Sequence, residues 1–249
     1  MTSAHSPTEA AKFAPPNLDR AIPRPALIER LRAASPTARW INAPSGAGKS
    51  TLVACHVSTR RAPLLWYRLD ERDADSAFFF ATLAAQLSAR LGTPGSLPAF
   101  ADSDRAQETG FAKRFFRALG SVGDPLLVVL DDLQQVDNTA VIDWLAHWLA
   151  LRHPETELIL LSQRPPPPGL YGALAAGQLA ALGDLGLPFG VAECAQIAAR
   201  HGLAPARGAE LAEITGGHAA ALVLACELMR SEGTRSTASL PRVVFSNEV

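Results

Sequence analysis

Five short apolar runs, each separated from the next by a segment of helical period, constrain this chain more than any other feature. The runs at 39–43, 64–69, 126–131, 157–162 and 185–189 have strand length and apolar character. Strands that alternate with helices in this way predict an α/β fold built on a parallel sheet.

The helices between them follow from period and caps. A helix over 49–60 follows a glycine-rich turn. One over 76–91 places Phe79, Leu83, Leu87 and Leu91 on a single stripe and stops at Gly92 and Pro94. A shorter one covers 110–119, and another starts from an Asn138 cap and runs through Ile142, Leu145 and Leu149 to Arg152. The Ala/Gly/Leu-rich run 169–190 is interrupted by Gln178, Asp184 and Pro188, so it reads as a helix leading into a strand and not as a membrane span. Beyond Phe189 the strands stop. Three helical segments follow at 192–201, 207–214 and 218–230, separated by Pro205 and the Gly216-Gly217 pair. The expected division is a flexible N-terminal arm (1–17), an α/β domain (18–190), a small helical domain (191–232), and a Ser/Thr-rich linker that opens a further segment (233–249).

Directly after the first run, and directly before a helix, stands Ala43-Pro44-Ser45-Gly46-Ala47-Gly48-Lys49-Ser50-Thr51. It fits the P-loop pattern, with Ala43 in the first glycine position. Glycines let successive backbone N–H groups turn toward a phosphate without a Cβ in the way, and the helix N-terminus beneath adds donors and a favourable dipole. Lysine is scarce here, with only Lys12, Lys49 and Lys113 among 23 basic side chains, which sharpens the meaning of Lys49. It is the residue that would reach the β- and γ-phosphates, with the Ser50 hydroxyl as a Mg²⁺ ligand. The bland alternative is a glycine-rich turn that caps a helix and binds nothing.

A second signal is the run 125–130 ending in Asp131-Asp132. A buried strand exposes acids at its tip, which in an open parallel sheet is the ligand edge. Asp131 reads as the metal-side carboxylate, acting through water, and Asp132 as the group that orients or deprotonates an attacking water. Solvated acids in a strand-ending turn are the alternative. The run 158–161 likewise ends in Ser162-Gln163-Arg164, where Arg164 reads as a γ-phosphate sensor or, in front of four prolines, as an exposed loop residue.

Across these residues the sequence resembles the ATPase module of the large LuxR-type transcription activators, the MalT-like group of the signal-transducing NTPases called STAND. The likeness includes Ile22-Pro23-Arg24-Pro25 with Leu27 and Leu31, which looks like the family's lead-in segment. It also includes Trp66-Tyr67-Arg68-Leu69-Asp70-Glu71-Arg72-Asp73 with Phe78 to Phe80, which looks like its second-strand signature. With the acid pair and Arg164, the resemblance covers about 22–230. It implies a sheet order of 5-1-4-3-2 with a helical lid, binding of ATP/ADP with Mg²⁺, slow hydrolysis, nucleotide-dependent self-association, and a position for Arg24 near the base. Many family members carry a Gly-x-Pro that touches adenine. Here the chain reads Gly217-His218-Ala219, and His218 is taken as a helix-start surface residue. For Trp66, Asp70, Glu71 and Asp73, packing and capping account for the residue types.

The family's repeat sensor and DNA-binding helix-turn-helix do not occur in these 249 residues, and 244–249 look like the start of its next helical segment, as in a truncated frame or a cut fragment. With a formal net charge of -1 and no reading helix, the chain is not expected to bind DNA by itself. Cys55, Cys194 and Cys226 form no metal-ligand spacing and read as buried hydrophobes in a reducing cytoplasm, and no export signal or membrane partner is expected. A stand-alone P-loop ATPase or kinase, and a non-catalytic nucleotide-binding interaction module, are the competing functions.

Overall fold

The computed structural model describes residues 11–34, 38–122, 125–137, 139–183 and 185–231. The Asn138 cap, the 233–249 linker and the first ten residues of the expected arm lie outside these. The described residues group into two compact units. One comprises the described parts of Met1–Pro15, Leu31–Asn42 and Val57–Gly183, and the other those of Pro16–Arg30, Ala43–His56 and Asp184–Val249. The boundary expected between 190 and 191 therefore runs inside the second unit, which gathers the glycine-rich loop with the C-terminal helices.

The first unit holds the sheet. Strands β1 (Ala38–Asn42), β2 (Leu64–Arg68), β3 (Leu127–Asp131), β4 (Glu157–Ser162) and β5 (Ala180–Leu182) are all parallel, in the order β2-β3-β4-β1-β5. This is the implied order read from the other edge. Every residue of β3 and β4 is buried, as a parallel sheet covered on both faces requires. Helices α3 (Ser76–Leu91), α4 (Glu108–Gly120), α5 (Val141–Leu151) and α6 (Tyr171–Ala175) belong to this unit. Its core is aromatic: Phe80 meets Phe111 and Trp144 at ring-centroid distances of 4.9 Å, and Phe116 stacks on Trp148 at 4.9 Å.

The fifth strand is a correction. The expected strand 185–189 is not one, and β5 lies a few residues earlier. Pro188 has no N–H to give a ladder, and Gly186 is left-handed at φ 65°. The carbonyls of this stretch are taken by guanidinium groups instead: Leu185 accepts from Arg30 at 3.0 Å, and Gly186 and Pro188 accept from Arg24 at 3.2 and 3.3 Å. The true strand, Ala-Ala-Leu, lacks the β-branched residues that mark strands in sequence.

The lead-in segment forms helix α1 (Pro25–Ala33), with proline at its first position. Helix α2 (Lys49–Val57) follows the loop and ends three residues sooner than expected. The second unit is completed by α7 (Val191–Arg200), α8 (Gly208–Thr215) and α9 (Ala219–Ser231), around a core that includes Ile22, Cys194, Leu211, Leu222 and Cys226.

The arm is anchored where it is described. Lys12 is buried and donates to Asp70 Oδ2 and Asp73 Oδ2, each at 2.8 Å, and Phe13 packs on Tyr67 at 5.2 Å. Asp73 is fully buried, accepts from the Tyr67 hydroxyl and from the Asp70 N–H, and so needs the ammonium to balance its charge. Burial pushes the Asp70 carboxyl up, but hydrogen bonds from Arg72 and Lys12 outweigh it and hold the group at about 2. A carboxyl depressed on folding contributes stability that is complete above its unfolded value of about 3.9 and is lost as the pH falls toward the folded value. Lys12→Met should cost about 3 kcal/mol in urea unfolding at pH 7, because it strands a buried carboxylate. A loss below about 1 kcal/mol would show that the pair contributes little.

Candidate functional site

Strand β1 ends at Asn42, and the glycine-rich loop begins at the next residue. Gly46 and Gly48 adopt φ of 70° and 94°, which turns the chain sharply enough to start α2 at Lys49. The Gly48 carbonyl accepts from Leu52 N–H at 2.9 Å, so the loop runs into the helix without a break. Lys49 is 8% exposed and donates to the Ala43 and Pro44 carbonyls at 2.6 and 3.0 Å. Ser50 and Thr51 occupy the first turn of α2, where the helix dipole favours anions.

A cavity of about 240 Å³ lies wholly within the second unit. Its wall combines Ile22 and Arg24 from the N-terminal segment, Gly48, Thr51 and Cys55 from the loop and α2, Phe189 and His201 from the α7 region, and Val223 from α9. Arg24 is held in place by many partners: Glu193 at 2.9 Å through Nε, the carbonyls of 186–188, and the Phe189 ring at 4.6 Å. At the same wall, His201 Nδ1 lies 2.9 Å from Glu227 Oε1, which also accepts from Arg20 at 2.7 Å. Hydrogen bonds from Arg230, His201 and Arg20 hold the Glu227 carboxyl at about 2.

His218 is not merely a surface residue at a helix start. Its Nε2 sits 2.9 Å from the Ser45 carbonyl, and two residues on, Ala220 N–H donates to the Gly46 carbonyl at 3.0 Å. A Cβ at Gly46 would lie 2.7 Å from that of Ala220, so the loop tolerates glycine alone at this point.

In the first unit, Asp131 ends β3 with its side chain buried, and its Oδ1 accepts the Asp132 N–H at 3.0 Å. Asp132 is, among the described residues, the one non-glycine at positive φ (61°), a conformation that Asp tolerates at moderate cost. Its Oδ1 accepts from Gln134 Nε2 at 2.9 Å, and its Oδ2 is 3.7 Å from Arg68 Nε. Gln134 in turn accepts the Gln163 N–H at 3.1 Å, which joins the tips of β3 and β4. Arg164 follows β4 with its guanidinium on both oxygens of Asp137, at 3.1 and 2.9 Å. Thus Asp131, Asp132 and Arg164 share the C-terminal edge of adjacent strands, whereas the loop residues and Arg24 belong to the other unit. Gln134, Asp137, Glu193, His201 and His218 were not singled out as site residues from sequence. Gln134 and Asp137 follow the acid pair within a few residues, but nothing in their types marks them as the groups that hold Asp132 and Arg164 respectively.

Among the described residues, no three His, Cys, Asp or Glu side chains form a group that could hold a metal ion, and no helix is long and apolar enough to cross a membrane.

No family model matches the chain. Among curated proteins, it is 32% identical over 160 residues to the HTH-type transcriptional regulator MalT of Yersinia enterocolitica, a match that covers 63% of this chain. The MalT of Yersinia pestis strain Pestoides F is 31% identical over 187 residues, 73% of this chain. In solved structures, a STAND protein with a tetratricopeptide repeat sensor from Pyrococcus horikoshii superposes with a TM-score of 0.63 at 20% identity, covering 89% of this chain and 32% of that one. The Aeropyrum pernix ORC1 protein, solved in complex with DNA, follows at 0.51 and 15%, covering 88% of this chain and 63% of that one. The chain is MalT-like in sequence and shares the fold of the STAND protein. It spans about a fifth of the length of the MalT relatives it matches.

Within this MalT-like module, the cysteines offer a direct check on the cavity. Cys194 and Cys226 are buried, and burial pushes all three thiols up, that of Cys226 to about 11. Cys55 is half-buried and lines the cavity. A small maleimide should therefore modify Cys55 well before the other two, and a ligand that fills the cavity should slow that reaction at least about fivefold. Equal modification of all three thiols in the folded chain would contradict the placement.

Proposed function

We propose that this chain is the nucleotide-binding switch module of a MalT-like transcriptional regulator. It takes up ATP or ADP with Mg²⁺, hydrolyses ATP slowly, self-associates according to nucleotide state, and couples that state to α7, α8 and α9. The observation that carries this reading is that the glycine loop, the 17–24 segment and the start of α9 border one cavity. A phosphate chain along the loop leads naturally to a base among Ile22, Phe189 and Val223.

The loop fits a polyphosphate. Its glycines hold left-handed turns that a side chain would oppose, and Lys49 rests on neutral carbonyls, which phosphate oxygens outcompete. Magnesium bound with ATP would supply positive charge against the phosphate oxygens. It would need few protein ligands, and the Ser50 hydroxyl and the Asp131 carboxylate are each of a chemistry that could serve as one. Ala43 to Thr51 contribute backbone donors and hydroxyls, Lys49 supplies charge, and Arg24 braces the wall at the base. Asp132, held by Gln134, is assigned to the attacking water: it orients the water and accepts its proton at a carboxylate oxygen. Arg164 is assigned to the γ-phosphate, and reading it requires exchange of the Asp137 carboxylate for a phosphate oxygen of like charge. The regulator names of the relatives favour the switch over a stand-alone ATPase or kinase, and over a non-catalytic module.

Lys49→Ala should weaken ATP binding beyond about tenfold in calorimetric titration, while affinity retained within about threefold would remove the P-loop assignment. Asp132→Asn should leave ATP binding intact and slow single-turnover hydrolysis by about 10²-fold. If Asp131→Asn abolishes turnover while Asp132→Asn does not change it, the two roles are reversed.

A further inference from the structure

We infer that His218 is a positioning residue that sets the phosphate loop from the lid side, and so makes recognition of the diphosphate depend on α9. The inference rests on the nucleotide reading above and deepens it.

A carbonyl can only accept, so the 2.9 Å contact with Ser45 O requires the proton on His218 Nε2. The Nδ1 of the same ring then accepts from Ala221 N–H at 3.4 Å, which fixes the ring over the first turn of α9. Ala220 N–H takes the next carbonyl of the loop, that of Gly46, at 3.0 Å. Two successive peptide planes are thereby gripped by their oxygens. In a trans peptide the C=O and N–H point in opposite directions. Holding Ser45 C=O and Gly46 C=O on the α9 side thus turns the N–H groups of Gly46 and Ala47 to the other side, where that of Ala47 reaches the Pro44 carbonyl at 3.3 Å, and such N–H groups are the donors with which a loop of this kind cradles phosphate. The contact is close as well as directional: Gly46 lacks room for a methyl group against Ala220, and Gly48 meets Ala219 at 3.4 Å from its Cβ position. Loop and helix move together or break these bonds.

The test compares ADP with adenosine, which has no phosphate, on the full 249-residue chain by equilibrium dialysis. His218→Phe keeps the ring and removes the donor. It should weaken ADP about tenfold and leave adenosine unchanged, and His218→Gln, whose amide can both donate and accept, should restore ADP to within about threefold. His218→Ala serves as the donor-free variant if the Phe variant does not melt cooperatively. Unchanged ADP affinity in the donor-free variant overturns the inference. So does an equal loss for ADP and adenosine, which would mark His218 as cavity packing, and so does a Gln variant no better than Phe. Wild-type chain that binds neither compound overturns the nucleotide reading, and this inference with it.

Discussion

Backbone carbonyls that leave the sheet still need donors, and the second unit is organised by how they find them. Lys49 serves Ala43 and Pro44, His218 and Ala220 serve Ser45 and Gly46, and Arg24 and Arg30 serve 185–188. Each donor comes from a segment distant in sequence from its acceptor, except Lys49. The cavity wall exists because these bonds draw the N-terminal segment, the loop and the C-terminal helices around a common space. Arg24 shows the economy of this arrangement: one planar guanidinium serves a carboxylate, an aromatic face and several carbonyls at once, which a lysine could not do.

The first unit works by the opposite logic. Its strands satisfy one another, the side chains of β3 and β4 are buried on both faces, and polar groups emerge at the ends. At the C-terminal edge, Asp132 is held in a left-handed turn by Gln134 while Asp131 stays buried behind it. Away from that edge, the acids after β2 are structural: Asp70 caps a short helical turn, and Asp73 is matched to Lys12. The scarcity of lysine thus has two readings in one chain, because Lys12 closes a buried charge balance and Lys49 stands in the loop.

Much of this was legible from residue order. Four of the five strands, the loop and the acid pair follow from apolar runs and from glycine spacing, since local chemistry alone dictates them. What escaped reading depends on distant partners. The strand at 180–182 is too short and too rich in alanine to announce itself, and 185–189 looks like a strand until Arg24 and Arg30 claim its carbonyls. Likewise Lys12 lay in a segment read as an arm, because its composition is polar and its partners lie about sixty positions away. His218 read as surface for the same reason: its acceptor, Ser45, is 173 positions away.

On the proposed reading, one ligand engages the loop, the N-terminal segment and α9 together. Amide hydrogen exchange with and without Mg-ADP tests it directly, because each segment reports separately. Exchange should slow at 43–52, at 17–24 and at 219–223 in the same titration, with α3 and α4 unchanged. Protection confined to the loop, or spread evenly over the chain, would contradict it.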